Sequence, residues 1–170
     1  LLLPVLLLII ASIPIQVLSR IRFSMAQAWI FAIVTSSIIW ILFSVLRIID
    51  PPLLAVNYLD QGILNSIQLS FNFNATTWVF GFLLLTMLSA ILLVDSSRLS
   101  GKNNLVAWSG AMVITAAGIL VCMSGSFVAF ILASTFLDLS LLTVGLVANR
   151  QTSHVKEVVV DFSLRVAGTF

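Results

Sequence analysis

This chain carries very little charge. Of its 170 residues only 8% are Asp, Glu, Lys or Arg, against 61% hydrophobic, and the mean hydropathy is +1.20. Soluble domains carry about a quarter of their residues as charges, so this composition lies far outside their range. Cysteine is nearly absent. Cys122 stands alone, which excludes an internal disulfide or a thiolate metal site and leaves a small packing residue. The single histidine, His154, sits in a polar run beside Lys156 and Glu157, with no partner at metal-ligand or general-base spacing. It reads as a solvated loop residue. No glycine-rich phosphate loop, paired-cysteine motif or nucleophile elbow occurs. The sequence therefore offers no catalytic residue, no cofactor-binding residue and no metal ligand set. The pI of 9.2 does not point to nucleic acid, because the basic residues are spread through short loops.

What is present is long apolar runs. Five are close to the ~20 residues that cross ~30 Å of hydrocarbon. They cover Leu1 to Leu18, Ala28 to Leu46, Ala75 to Val94, Leu105 to Met123 and Ser126 to Val147. Helices are the form expected, since an open strand edge cannot satisfy its backbone in lipid and no alternating barrel pattern appears. The fold class is thus all-α: a polytopic membrane helix bundle over residues 1–170, with the lipid bilayer as its surroundings. The first span lacks both a basic leader and a clean small-residue cleavage site, so it reads as a retained helix missing a few residues before Leu1.

Charge placement sets the expected orientation. Arg20 and Arg22 follow the first span, Arg98 and Lys102 the third, and Arg150, Lys156 and Arg165 the fifth. The opposite side carries only Arg47. By the positive-inside rule the N-terminus lies outside and the tail inside.

Proline ends the second span at Ile49-Asp50-Pro51-Pro52. In the outer loop that follows, residues Asn65 to Asn74 alternate polar and apolar, placing Ile67, Leu69, Phe71 and Phe73 on one side. That period of two predicts a short strand or hairpin on the membrane surface. Asn74-Ala75-Thr76 matches a glycosylation sequon, but it abuts the third span and reads as a chance match. The fourth span is rich in small residues (Ala107, Gly110, Ala111, Thr115, Ala116, Ala117, Gly118), which lets backbones approach and predicts a helix buried among others. Only Met123 to Gly125 separates it from the fifth span, predicting a tight hairpin. Asn149 to Glu157 reads as an inner loop, and Val158 to Phe170 as the start of a sixth helix. Trp29, Trp78 and Trp108 lie near span ends and read as interface anchors, whereas Trp40 is mid-span.

Asp138 is the only charge inside the five spans. A carboxylate at that depth costs roughly 3 kcal/mol on insertion scales, so it is expected to face a bundle interior or a wet path. Ser134 and Thr135 lie one turn before it on the same helix, and Leu141 and Leu142 one turn after.

With the elements placed, residues 60 to 170 resemble the antiporter-like membrane subunits of respiratory complex I and the Mrp-type cation/proton antiporters. The outer strand running into Asn74-Ala75-Thr76-Thr77-Trp78 looks like the family's entry to helix three. Ala116 to Val121 and Phe130 to Leu146 look like helices four and five, and Ser140 to Gly145 is similar to the family's Ser-Tyr-Leu-Leu-Ile-Gly stretch. Asp161 to Gly168 resembles the stretch entering helix six. Where the family has its proton-transferring glutamate this chain has Ser134, with Asp138 one turn further on; the two are the proton-transfer candidates the resemblance implies. It implies further a truncated or split antiporter-like subunit of a proton-translocating NADH- or ferredoxin:quinone oxidoreductase, mainly structural. Its partners would be the other membrane subunits of a large complex, in the mitochondrial inner, bacterial inner or thylakoid membrane. No cofactor is implied, because electron chemistry belongs to other subunits of that family. The competing reading is an unrelated small assembly or scaffold protein with no ion path.

Overall fold

The computed structural model describes residues 2–18, 25–49, 54–56, 69–95, 103–148 and 152–169. They form six helices and two short strands: α1 (Leu3–Leu18), α2 (Met25–Ile49), β1 (Leu54–Val56), β2 (Leu69–Phe71), α3 (Ala75–Val94), α4 (Asn103–Met123), α5 (Phe127–Ala148) and α6 (Thr152–Thr169). Four of the helices, α2 to α5, are long and apolar enough to cross a membrane. The expected first span is the exception: α1 has 16 residues, or about 24 Å of helix, short of the ~30 Å hydrocarbon thickness.

α4 lies at the centre, packed against α1, α3 and α5. Half of its apolar stretch is buried, compared with 17% to 28% for the other three spans. Its sequence explains this. Gly110, Thr115, Ala116 and Ala117 are all buried, and such short side chains bring backbones together where lipid supplies no hydrophobic drive between helices. α1 contributes Val5, Leu8, Ala11, Ser12 and Ile15, a helical stripe that is buried along its length. α3 presents Thr77, Gly81, Leu85, Leu88 and Leu92 in the same way. The outward faces are large and apolar, with Ile38, Ile41, Phe80, Leu83, Met87, Phe130 and Leu132 all exposed. That is an inverted arrangement for a protein in water and an ordinary one for lipid.

Close packing of α2 on α3 depends on Gly81, where a Cβ would overlap the Phe43 ring. Polar groups stitch the same interface. Ser36 and Ser89 share a hydrogen bond of 3.0 Å, Trp40 Nε1 donates to Thr86 Oγ1 at 3.1 Å, and Trp29 Nε1 donates to the Leu92 carbonyl at 2.8 Å. Trp40 therefore packs inward against Phe82, ring centroids 4.8 Å apart.

The outer-loop strand forms over Leu69–Phe71, and its partner is Leu54–Val56, antiparallel with Leu54 opposite Phe71. Ile67 lies outside the described residues. The strand is anchored to the bundle: Asn72 N–H donates to the Met123 carbonyl at 2.7 Å, and Gly125 N–H to the Ser70 carbonyl at 2.8 Å. The α4–α5 turn and the hairpin thus share one end of the bundle.

Three sequence expectations need correction. Helix α6 begins at Thr152, inside the run read as a loop, because its polar first turn is still helical and Val158, Asp161, Phe162 and Arg165 then share a face toward α5. Trp108 is not an interfacial anchor; it is fully buried and donates to Asp95 Oδ2 at 3.0 Å. Asp138 is not the sole charge in an apolar span, because α2 runs to Ile49 and takes in Arg47 in its last turn. The loop arginines and lysines that set the expected orientation, apart from Arg165, lie outside the described side chains.

Candidate functional site

Helix α5 carries Asp138 near its midpoint, half-buried and facing α6. The approach of α6 is set by Gly145, whose missing side chain makes room for Val158: a Cβ there would lie 2.9 Å from Val158 Cγ1. From that crossing the two helices run antiparallel and enclose a cleft of about 150 Å³, lined by Asp138, Leu141, Leu142, Gly145, Val158, Asp161, Phe162 and Arg165. Arg165 Nε donates to Asp161 Oδ2 at 3.2 Å, an i,i+4 pair with both side chains more than half exposed. Asp138 makes no hydrogen bond or ion pair with any described residue. The cleft is an apolar slot with three ionisable groups at one end.

Ser134 is on α5 but outside the cleft lining, and its hydroxyl donates to the Ile131 carbonyl at 3.0 Å. Thr135 is similarly turned back onto its own helix, donating to Leu132 at 2.9 Å. Ser134 thus lies one turn from Asp138 on α5 but outside the cleft lining, where Asp161 and Arg165 join Asp138. Asp161 and Arg165 were missed as site residues. The available signal was their i,i+4 acid–base spacing within an apolar segment, which on a helix exposes a paired charge on one face.

The His154 side chain lies outside the described residues, and among those described no three His, Cys, Asp or Glu side chains gather into a metal-binding group. Cys122 is half-buried, and its backbone carbonyl accepts a 2.9 Å hydrogen bond from Thr77 Oγ1. The indole N–H of Trp78 is buried and has no hydrogen-bond partner among the described residues; its ring stacks on Phe82 at 5.2 Å. Chemically, the α5–α6 cleft can hold a proton or a cationic group at Asp138. Its described lining consists of two carboxylates, one guanidinium and otherwise apolar groups. No family model, curated protein or solved structure matches this chain.

Proposed function

We propose that the chain is an antiporter-like subunit in the membrane arm of a complex-I-like, proton-translocating NADH- or ferredoxin:quinone oxidoreductase. Its role there is mainly structural: it packs helices and extends the arm. Proton transfer through Asp138 depends on groups supplied by neighbouring chains. One observation supports this reading, namely a carboxylate near the middle of the apolar helix α5 that opens into the α5–α6 cleft beside Asp161 and Arg165. Such a group is expensive to place in a membrane and marks an ion pathway or a contact with another helix. The order of elements, an outer strand running into α3 and a central small-residue α4, supports the same assignment. On this reading the chain sits in an energy-coupling membrane with its N-terminus outside, and it holds no redox cofactor.

A second reading, a small membrane assembly or scaffold protein without an ion path, is favoured by the hydroxyls of Ser134 and Thr135. Both are bonded to their own helix, so nothing on α5 continues a relay from Asp138.

Mass spectrometry on gently solubilised native membranes, resolved by size, tests the first reading. Co-migration with hydrophilic NADH- or ferredoxin-oxidising subunits is the expected result, and migration alone or with unrelated partners overturns it. Asp138→Asn then separates the two roles. A pumping role predicts lost proton transfer in an intact complex, whereas a scaffold role predicts little change.

A further inference from the structure

We propose that the groove between α2 and α3 seats the phosphate of a glycerophospholipid, held between the Arg47 guanidinium and the Trp78 indole N–H. The seat presupposes the membrane-embedded reading above and is independent of Asp138. Helix register brings the two donors together. α2 and α3 run antiparallel, with Ser36 bonded to Ser89. Arg47 lies eleven residues after Ser36, and Trp78 eleven residues before Ser89. Eleven residues are about three helical turns, so both return to the face that carries the serine bond, at one level. The contacts between agree: Trp40 donates to Thr86, and Gly81 makes room for Phe43. The Trp78 ring stacks on Phe82, which packs against Trp40, so the indole lies along this groove.

Depth and charge identify the ligand. Arg47 is in the last turn of α2 and Trp78 about one turn into α3, each near the end of an apolar stretch. That is headgroup level, where amphipathic rings gather. Arg47 is exposed, pairs with no carboxylate among the described residues, and is the only Lys or Arg from Met25 to Asp95. The Trp78 N–H has no hydrogen-bond partner among the described residues, and its burial keeps solvent from satisfying it. Both groups donate and neither accepts, so a ligand common to them is an anionic acceptor. A phosphodiester accepts from both at once, with short charge-assisted bonds. An entering oxygen moves side chains aside to reach the indole, and the bond it then makes relieves a buried donor. Deeper along the groove, the exposed Ile41 and Leu83 flank it and suit acyl chains.

The test uses the full chain in its native membranes, doped with one of two photoreactive lipids. Both carry a diazirine beside the glycerol; one is a phosphatidylglycerol, the other a diacylglycerol, which lacks the phosphate. Mass spectrometry reads the labelled residues, and Phe127, exposed at the same end of the bundle, serves as reference. Relative to Phe127, the phosphatidylglycerol should label the exposed Ile48 and Val79 about tenfold more than the diacylglycerol does, the factor one hydrogen bond to a charged group supplies. Arg47→Gln should abolish that preference. Trp78→Phe, which keeps the ring and removes the donor, should reduce it several-fold. Unchanged Phe127 labelling shows that each variant is folded and inserted. Equal labelling of Ile48 and Val79 by the two lipids overturns the proposal while leaving the membrane reading intact. A preference that either substitution leaves unchanged also overturns it. If inorganic phosphate added in excess removes the preference, the seat takes the free ion and the lipid assignment is overturned. Absence of labelling at Phe127, Ile48 and Val79 with both lipids means the membrane reading itself fails, and the phosphate seat falls with it.

Discussion

The indole N–H of Trp108 donates to Oδ2 of Asp95 across 3.0 Å, tying the end of α3 to the first turns of α4. Trp108 is fully buried, whereas Asp95 is partly exposed and caps α3, its own N–H donating to Ile91 and Leu93. Trp108→Phe keeps most of the ring but removes the donor, and should cost about 1–3 kcal/mol by leaving the carboxylate short of a partner. Trp108→Ala should cost more, about 3–5 kcal/mol, through the cavity it opens. Thermal unfolding in detergent checks both; a smaller loss for Ala than for Phe would contradict this packing.

Gly81 and Phe43 are complementary by volume. Gly81→Val should destabilise the α2–α3 contact by about 1–3 kcal/mol through overpacking, because even a Cβ at position 81 would overlap the Phe43 ring. Combining it with Phe43→Ala should cost less than the sum of the two single changes, read as a double-mutant cycle on the unfolding midpoint.

Ser36 is fully buried and bonded to Ser89, yet Ser89 also donates to the Leu85 carbonyl of its own helix. Ser36→Ala should therefore be mild, about 0.6 kcal/mol, the mean for polar contacts between membrane helices. Ser36→Leu should be several times worse. Equal effects of the two would mean that the hydroxyl bond, not the close approach, holds this interface.

Gly125 faces Ser70: a Cβ there would lie 3.0 Å from Ser70 Oγ and 3.2 Å from the Ser70 carbonyl. Gly125→Val should loosen the hairpin from the α4–α5 turn while leaving the helices in place. Hydrogen exchange at Asn72 and Gly125 amides should rise at least tenfold, with helix-centre amides unchanged.

The sequence made the helices legible wherever an apolar run met polar residues at both ends. α3 begins and ends at the expected residues, because Asn74 and Asp95 mark an abrupt change of solvent preference. The buried role of α4 was also readable, since small side chains have few other uses in lipid. What could not be read was pairing between distant segments. Trp108 near a span end suggests an interfacial ring until Asp95 is placed beside it. β1 has three residues, too few to show a period. The site suffered most: Asp161 and Arg165 fell in the expected sixth helix, but nothing in the sequence told which of its faces would turn toward Asp138. Helical neighbours along α5 then seemed its natural companions, although Ser134 in fact bonds to its own backbone.

The backbone bonds from Asn72 to Met123 and from Gly125 to Ser70 have a mechanical consequence. They make the surface hairpin and the end of α4 one stiff unit, so a pull or push on the hairpin is delivered directly to the most enclosed helix. A binding event at the rim of the bundle would thus be felt along its axis, by leverage rather than by any rearrangement of the outer helices.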